Sequence, residues 1–330
     1  VTNRAYGNVQ LRYDLLKNLN FTYKIGFDNY SEQHVHKHNK GGVEFPLGFY
    51  RTVAANRAIW DHSLIGNYNT KFGDNFTLNV DGGVNAYVNN YKQMGQYSSQ
   101  QLVFDLFDHS NFIVQNKTSE NGGDMDFRNE QLLLGAFAFA SVGYKDFMFL
   151  NFGARNDWSS KFESQNRKQL YPNVTASFIP TTAIQALQNN KVLNFLKIRA
   201  GYSTSASFGD AYQTRAVLGI QANRFLTQGG TTINSNTLGG RRPNPDLKPE
   251  LSKEAEIGIE AKMFNNRLNV DLTLYQRRNP NQILDKDLDP ASGFTVQSIN
   301  SATVENKGIE LVLGYTIIRR KNLVWDVNTN

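Results

Sequence analysis

The chain has 330 residues, a formal net charge of +6 and a mean hydropathy of −0.49, and it contains 22 Phe, 15 Tyr and no Cys. That length is enough to bury a sizeable core. Because cysteine is absent, a disulfide framework and a thiolate metal site are both excluded. No stretch approaches the roughly 18 apolar residues that a membrane helix needs, so a helical membrane protein is excluded as well.

The positive charge does not indicate a nucleic-acid partner. Lys and Arg are scattered along the chain, and their densest cluster, Arg319–Lys321, lies at a predicted strand end. The sequence has no glycine-rich phosphate loop opening a long helix, and no GxSxG motif of a nucleophilic serine. We therefore expect neither an enzyme nor a cofactor.

Alternation of apolar and polar residues is the main signal in chain order. From Val9 to Leu15 every second residue is apolar, and the same pattern returns after each break. We predict twelve strands, at about 9–15, 21–28, 60–71, 76–81, 129–143, 148–157, 171–179, 194–204, 255–261, 268–275, 305–316 and 322–330. One short helical stretch is predicted at Thr182–Asn189.

The connections between these strands alternate between short and long. The short ones are Lys17–Asn20, Phe72–Asn75, Gly143–Asp146, Phe264–Arg267 and Arg319–Asn322, with Pro180–Leu193 as a longer exception in the same series. The long ones, rich in Gly, Asn, Gln and Ser, lie at about 31–58, 89–128, 158–170, 205–250 and 279–304. In an antiparallel meander, alternate connections lie at opposite ends of the strands, so all tight turns share one rim.

This sorting favours an outer-membrane barrel, because such barrels have short periplasmic turns and long extracellular loops. Greek-key sandwiches mix both lengths at both ends. Aromatic residues flank the short turns as an interfacial girdle would: Phe21, Phe72, Phe76, Tyr144, Phe147 and Phe264. We therefore predict an all-β, antiparallel transmembrane β-barrel whose apolar strand faces contact lipid.

Several motifs then carry a family resemblance. The segment NPDLKPE at Asn244–Glu250 resembles the strand-entry signature of TonB-dependent outer-membrane receptors. Further segments, in the same order, are similar to the SusC/RagA-like branch of Bacteroidetes: RNDWSSKF at 155–162, YPNVTASFIP at 171–180, LKIRAGYSTS at 196–205, FNNRLNVDLTLYQRRNPNQIL at 264–284 and SGFTVQSINSATVENKGIEL at 292–311. The sequence departs from the family pattern at Ala302, Ser203 and Ala206, where glycine is usual, so local loop geometry is expected to differ there.

The resemblance implies that residues 1–330 are part of a single barrel domain of about twenty-two strands, without the N-terminal plug and without the final strand. An open sheet of twelve strands would leave two unpaired edges in lipid, which is not tolerable. Both ends of the chain also fall inside an alternating pattern. We therefore expect a portion of a longer protein.

The resemblance further implies TonB-dependent import of oligosaccharides or peptides across the outer membrane. The implied partners are a SusD-like surface lipoprotein, the TonB complex, outer-membrane lipid and lipopolysaccharide, with a dimer of the two-protein unit common in the family. Two alternatives stay open. A SusC-like barrel could act as a structural partner in another outer-membrane complex, or the chain could be a surface β protein that binds glycans without transport.

Two clusters have metal-ligand spacing. The sequence HVHKH places His34, His36 and His38 on one face of an extended segment, which suits Zn²⁺ or Ni²⁺, although a solvated loop tract is favoured. Asp285, Asp287 and Asp289 have the spacing of a calcium loop. An EF-hand is excluded because the positions that require Gly and Glu hold Pro290 and Val296, so a looser calcium site is the alternative to a solvated acidic loop.

Three further sets have a structural and a functional interpretation. Glu254, Glu256 and Glu260 share one strand and are interpreted as polar lumen lining rather than catalytic carboxylates. Glycines that interrupt strands are interpreted as bulges or tight curvature: Gly26, Gly82, Gly83, Gly153, Gly258 and Gly314. Aromatic residues assigned to the long loops suit either ligand stacking or loop packing: Trp60, Tyr87, Tyr91, Tyr97, Phe208 and Tyr212.

One consequence of the barrel interpretation concerns single charges. A lysine at Leu272 would face lipid and should destabilise the protein, whereas a charge at the neighbouring position Thr273 would face the lumen and should cost much less.

Overall fold

The computed structural model describes residues 1–117, 119–120, 123–216, 218–226, 228, 230 and 232–330, and most of them lie in strands. The strands are β1 Thr2–Leu16, β2 Leu19–His38, β3 Phe49–Phe72, β4 Phe76–Gln101, β5 Phe112–Lys117, β6 Ser119–Glu120, β7 Gly123–Asp124, β8 Phe127–Tyr144, β9 Met148–Ser159, β10 Lys168–Phe178, β11 Leu193–Ser207, β12 Leu218–Leu226, β13 Thr232–Leu238, β14 Arg241–Arg242, β15 Glu250–Met263, β16 Leu268–Asp287, β17 Val296–Arg320 and β18 Leu323–Thr329. A one-turn helix, α1, spans Pro180–Ala183, and 3₁₀ turns lie at His109–Asn111, Gln185–Leu187 and Pro290–Ser292.

Fourteen strands form one sheet in the order β1-β2-β3-β4-β8-β9-β10-β11-β15-β16-β17-β14, with β18 also paired to β17 and β5 to β4. The long pairs from β9 onward are antiparallel, and β14 alone joins its neighbour in parallel among the described pairings. Two small sheets, β12-β13 and β6-β7, lie outside this path. The meander order is what an up-and-down barrel wall requires.

The chain divides into two compact units. The first comprises Val1–Arg12, Thr22–Leu64 and Asn85–Leu134, and the second comprises Tyr13–Phe21, Ile65–Val84 and Gly135–Asn330. In the first unit the buried apolar side chains include Phe49, Phe112 and Met125. In the second unit they include Phe162 and Leu247, both in loops next to strand ends.

All twelve predicted strands are present, but most are longer than predicted. For example, β3 begins at Phe49 and β4 continues to Gln101, so much of the sequence assigned to long loops is paired. Polar composition indicated exposure to water there, yet the backbone groups of a polar segment still satisfy their hydrogen bonds best by extending the ladder. β5 and β14 are short additions that the alternation did not reveal.

The short turns lie where they were predicted. In the turn between β8 and β9, Lys145 and Asp146 have φ of 50° and 58°, as a two-residue hairpin turn of type I′ requires. The aromatic residues around the turns also pack in series: the ring centroids of Phe76 and Tyr144 are 4.7 Å apart and those of Tyr144 and Phe147 are 5.4 Å apart. These contacts fit an aromatic girdle at one rim.

The helical stretch predicted at Thr182–Asn189 is confirmed only in part, as two separate short turns. The helical turn is α1 at Pro180–Ala183, and it ends because Ile184 is extended, with φ −103° and ψ 113°. A separate 3₁₀ turn follows at Gln185–Leu187. Proline at the first helical position sets the start, and so short a segment has too few hydrogen bonds to propagate.

The departures from the family pattern have different outcomes. Ala302 pairs with Gln282 between two register shifts of the β16–β17 ladder, so the local geometry there is irregular as expected. Ser203 and Ala206 pair with Glu254 and Leu251 in an unbroken register. The expectation of altered geometry is therefore wrong for the two β11 positions, where an extended backbone accepts either residue type.

The sheet has one apolar and one polar face. In register across β15, β16 and β17, Ile259 pairs with Leu272, which pairs with Leu311, and these apolar side chains share one face. Farther along the same face the side chains are strongly exposed, Ile309 at 73%. An apolar face that no other layer of the described chain covers is suited to lipid rather than to a soluble core. None of the helices in the described residues has the length and apolar character to cross a membrane.

Candidate functional site on the polar face of the sheet

The polar face of the second unit is organised around Arg199 on β11. Its Nη2 donates to Asp271 Oδ1 at 2.8 Å and to Thr273 Oγ1 at 2.6 Å, and its Nη1 donates to the other Asp271 oxygen at 3.3 Å. The guanidinium crosses the intervening strand over Gly258, where a Cβ would lie 2.7 Å from Arg199 Nε. Glycine at this position therefore lets one cation bridge three strands.

A second polar group on this face joins β9 and β10. Tyr171 donates its hydroxyl hydrogen to Asp157, Arg155 Nε donates to the Tyr171 hydroxyl at 3.1 Å, and Arg155 Nη2 lies 2.8 Å from Asp157 Oδ1. The guanidinium also lies 5.8 Å from the ring centroid of Phe137. Asp157 is only 3% exposed, so its carboxylate needs these partners to offset desolvation.

The strand glycines on this face are not bulges. The ladders run without a register shift past Gly153, Gly258 and Gly314. At Gly153 an added Cβ would collide with the ring of Phe139 and with the side-chain amide of Asn173. The bulge interpretation is therefore wrong for these three positions, since each glycine instead makes room for a side chain of a neighbouring strand that lies close against it.

The polar face of the first unit carries an aromatic and amide group. Arg57 Nε donates to Asn89 Oδ1 at 2.9 Å, and its Nη1 lies 3.5 Å from the Tyr30 hydroxyl. The Tyr91 hydroxyl donates to Gln93 Oε1 at 2.9 Å. Residues 30, 57 and 89 were not singled out from the sequence, although extending the period-two pattern through β2, β3 and β4 would have found them.

The loop aromatics have several different positions. Trp60 lies in β3 and packs against Phe27 at 5.9 Å, while Tyr87, Tyr91 and Tyr97 lie in β4, so their assignment to loops is wrong. Phe208 is in a loop and packs against Phe162 at 6.1 Å, and Tyr212 is in the same loop, half exposed. The described ring contacts of Trp60 and Phe208 are with neighbouring aromatic residues, which favours packing over ligand stacking for these two.

The three glutamates lie on the polar face of β15, as predicted. Glu254 is paired with Arg277 at 2.8 Å, Glu256 is in register with Tyr275, and Glu260 is in register with Asp271. They alternate along one strand, so they line the face in a row rather than converge on a common point. Their interpretation as lumen lining fits this arrangement.

The three histidines lie at the end of β2, which is extended through His38. His34 Nε2 lies 3.1 Å from Glu32, whereas the rings of His36 and His38 each lie 4.9 Å from the ring of Phe49. All three lie in a strand, so their assignment to a loop is wrong. His34 and His36 are exposed, as a solvated tract predicts, whereas His38 is half-buried against Phe49, which is 2% exposed.

The three aspartates do not form a calcium loop in the described structure. Asp285 is bound by Arg241, with Nη1 and Nη2 at 2.5 and 2.7 Å, and by the Ser298 hydroxyl at 2.7 Å. Asp289 caps a 3₁₀ turn by accepting from the Ala291 amide at 2.9 Å. The Arg241 guanidinium thus supplies the positive charge beside Asp285 that a calcium ion was predicted to supply. In the residues that the structure describes, no three His, Asp or Glu side chains are grouped to hold a metal ion.

The NPDLKPE segment is a docked loop. The Asn244 side chain donates to the Ser298 carbonyl at 2.8 Å, and the Lys248 amide donates to Asn300 Oδ1 at 2.8 Å. Leu247 is 1% exposed, and Glu250 accepts from the Ile283 amide at 2.7 Å. The signature therefore fastens the loop before β15 onto β16 and β17, which is a structural role.

Comparison with known proteins identifies the family. The model described as "TonB dependent receptor-like, beta-barrel" matches residues 1–330. TonB-dependent receptor P26 of Formosa agariphila is 28% identical over 282 residues, which cover 83% of this chain and 27% of the relative. A structure of the RagAB peptide transporter superposes with a TM-score of 0.80 at 23% identity, covering 99% of this chain and 35% of the other.

A ferric-catecholate import receptor, Fiu from Escherichia coli K12, superposes with a TM-score of 0.56 at 13% identity, covering 96% of this chain and 45% of the receptor. This chain thus spans less than half the length of each of these three proteins. Because the family model matches every residue, the chain belongs to the TonB-dependent receptor-like β-barrel family of the outer membrane, and the expectations of an all-β and non-enzymatic protein are confirmed.

Proposed function

We propose that the full protein imports oligosaccharides or peptides across the outer membrane, with energy supplied through TonB. The observation that carries the proposal is the two-faced sheet. Its outer face is apolar, and its polar face carries buried and half-buried ionic groups around Arg155 and Arg199. A wall with lipid on one side and a hydrated passage on the other needs this arrangement.

The RagA-like branch is supported by the higher TM-score of the superposition on RagAB than of that on the ferric-catecholate import receptor, 0.80 against 0.56. RagAB is described as a peptide transporter. We infer that residues 1–330 are part of a single barrel domain, to which a plug and further strands are added in the full protein. A SusD-like surface lipoprotein is the expected partner at the rim that carries the long loops, and a dimer of the two-protein unit is included in the proposal.

The first experiment is purification of the full protein from native outer membranes in mild detergent, with mass spectrometry of everything that copurifies. A much heavier chain together with a surface lipoprotein and a bound peptide or oligosaccharide is the expected result. A chain that is soluble without detergent and binds glycans would contradict the proposal.

Uptake then separates transport from a purely structural role. A strain lacking the gene, complemented with the wild-type protein, should accumulate labelled substrate, and an uncoupler of the proton gradient should stop accumulation. Tyr91→Ala removes a polar-face aromatic and should lower uptake, whereas Met94→Ala, on the other face of the same strand, should not. Normal accumulation in the deletion strain would point to a structural partner instead.

A further inference from the structure

One arginine of the polar face in the first unit is held by uncharged groups. Arg57 in β3 is half-buried, its Nε donates to Asn89 Oδ1 at 2.9 Å, and its Nη1 donates to the Tyr30 hydroxyl at 3.5 Å. Among the contacts of the described residues, no carboxylate touches it. On the polar faces of the two units, four other arginines each lie 2.6 to 2.8 Å from a carboxylate oxygen: Arg4 with Asp28, Arg155 with Asp157, Arg199 with Asp271 and Arg277 with Glu254.

The carboxylates on the neighbouring strand are engaged by other groups. Asp28 and Glu32 lie on the same face of β2 as the tyrosine that contacts Arg57. Arg4 binds both oxygens of Asp28, at 2.7 and 2.6 Å, and Glu32 Oε2 lies 3.1 Å from His34 Nε2. The half-buried guanidinium of Arg57 therefore lacks the contacting anion that would best offset its desolvation.

Tyrosine rings flank this guanidinium along β4. Tyr87 and Tyr91 lie two residues to either side of Asn89 on the same face, about 7 Å along the strand in each direction. Both residues are half-buried, and the Tyr91 hydroxyl donates to Gln93 Oε1 at 2.9 Å. Rings at this spacing suit contact with the body of a ligand whose charged group is bound by Arg57.

The surroundings of Arg57 towards the long connection are apolar. Arg57 is the ninth residue of the 24-residue strand β3, which directly follows the connection of residues 39–48. Val53 and Ala55 precede it on the same face and are buried, and Met125 is buried against this part of the sheet. Because water is excluded on that side, a charge-assisted hydrogen bond to Arg57 is stronger than it would be in open solvent.

We propose that Arg57 binds a carboxylate of the imported substrate, while the rings of Tyr30, Tyr87 and Tyr91 contact the body of the same molecule. The contacts to Asn89 and Tyr30 fix the plane of the guanidinium. In the described contacts, Nη2 and the second hydrogen of Nη1 remain to bind both oxygens of a carboxylate. A uronic-acid residue of an oligosaccharide and a peptide both supply this group. The inference rests on the proposed import function and adds to it a preference for substrates with a free carboxylate.

The test uses the full protein, purified in detergent and freed of bound ligand, with two pools of probes. One pool holds uronic-acid oligosaccharides and the other holds random-sequence peptides, each with free carboxylates or with the carboxylates converted to amides. Native mass spectrometry measures the affinities. In at least one pool, free carboxylates should bind about tenfold to a hundredfold more tightly than amides, as hydrogen bonds to a charged group predict. The pool that shows the preference identifies the source of the carboxylate.

Three variants assign the preference to one residue. Arg57→Gln should remove it by weakening only the probes with free carboxylates, and Arg57→Lys, which retains the charge without the planar fork, should retain part of it. The matched control is Lys92→Gln, since Lys92 is exposed on the opposite face of β4 in the same unit. It removes an equal charge and should leave the preference unchanged. Amidation of the probes tests the wild type itself, so the result does not depend on the folding of a variant.

Equal binding of free and amidated probes in both pools would overturn the proposal, and so would binding of neither pool. A preference that persists in Arg57→Gln, or that Lys92→Gln removes as well, would also overturn it. Import is judged separately, by accumulation of labelled substrate in the complemented strain. A strain that accumulates substrate, with a receptor that binds free and amidated probes equally, would retain import and reject the carboxylate site.

Discussion

Leu272 illustrates the consequence of alternation for a single residue. It lies on the apolar face between Ile259 and Leu311. A lysine there would place a charge in the hydrocarbon region. We expect Leu272→Lys to reduce the free energy of unfolding of the protein in lipid vesicles by about 2–4 kcal/mol if the residue lies near the bilayer midplane. Denaturant titration of the full protein in vesicles measures this change.

The control for that charge is best placed at Glu310. Thr273 is 8% exposed and accepts a hydrogen bond from Arg199, so a lysine there would also break a contact and meet a like charge. Glu310 is in register with Thr273 on the same polar face and is exposed. Glu310→Lys should cost less than about 1 kcal/mol. A cost equal to that of Leu272→Lys would contradict the assignment of faces.

Asp285 allows a prediction about pH, because it lies near the far end of β16, well beyond the roughly 9–11 residues after Leu268 that are enough to cross a bilayer. Hydrogen bonds from Arg241 and from Ser298 lower the pKa of its carboxyl from 3.8 to about 2. A lowered pKa stabilises the folded form above the unfolded value, so the contribution is complete above about pH 3.8 and is lost as the pH falls through 2. Both side chains are partly exposed, which limits the effect to about 1 kcal/mol or less.

Hydrogen exchange of peptides containing β14, measured from pH 5 to pH 2, checks this prediction. Protection should decrease in the lower part of that range in the wild type. Asp285→Asn should remove the pH-dependent step, and Asp287→Asn should retain it. A step that persists in Asp285→Asn would assign the titration to another group.

Among the structural elements, the loop between β14 and β15 depends on a single buried side chain, Leu247. It is the buried anchor of the loop that joins β14 to β15, and truncation should leave a cavity beneath that loop. We expect Leu247→Ala to destabilise the docked loop by about 2–3 kcal/mol, at the lower end of core leucine truncations because a loop can collapse partly into the space that the side chain leaves. Exchange protection of residues 298–300, which the loop covers, reports the change.

Lys248→Ala is the matched control for that truncation. Its backbone amide makes the contact to Asn300, while its side chain is exposed. The contact therefore survives the substitution, and protection should not change. If Lys248→Ala exposed residues 298–300 as much as Leu247→Ala, the anchor would not be the leucine side chain.

Alternation of apolar and polar residues predicts the strands only where one of their faces is apolar. In β15 and β16 every second residue is apolar and faces lipid. The apolar and polar faces of these strands, and the turn at Phe264–Arg267 between them, therefore follow directly from alternation. Farther out, the ladders of β3 and β4 continue through polar residues, and nothing in a polar stretch reveals whether its backbone is paired. The Arg241–Asp285 pair, 44 residues apart, depends on tertiary contacts that no local pattern contains.

At the scale of the whole molecule, the alternation of short and long connections predicts which side of the outer membrane each end of the strands faces. Turns such as 321–322 and 73–75 are two or three residues long, whereas the connection from β2 to β3 spans residues 39–48 and that from β11 to β15 spans 208–249. Their length makes the long connections the extracellular ones in an outer-membrane barrel. The short set then faces the periplasm.

Because the chain has no cysteine, single cysteines report this sidedness cleanly. Glu44→Cys lies in the connection from β2 to β3, and Lys321→Cys in the turn from β17 to β18, both at exposed positions. In the full protein on intact cells, a membrane-impermeant maleimide should label Glu44→Cys and leave Lys321→Cys unlabelled. Lysis should make both reactive, which controls for intrinsic reactivity. Labelling of Lys321→Cys on intact cells would reverse the assigned orientation.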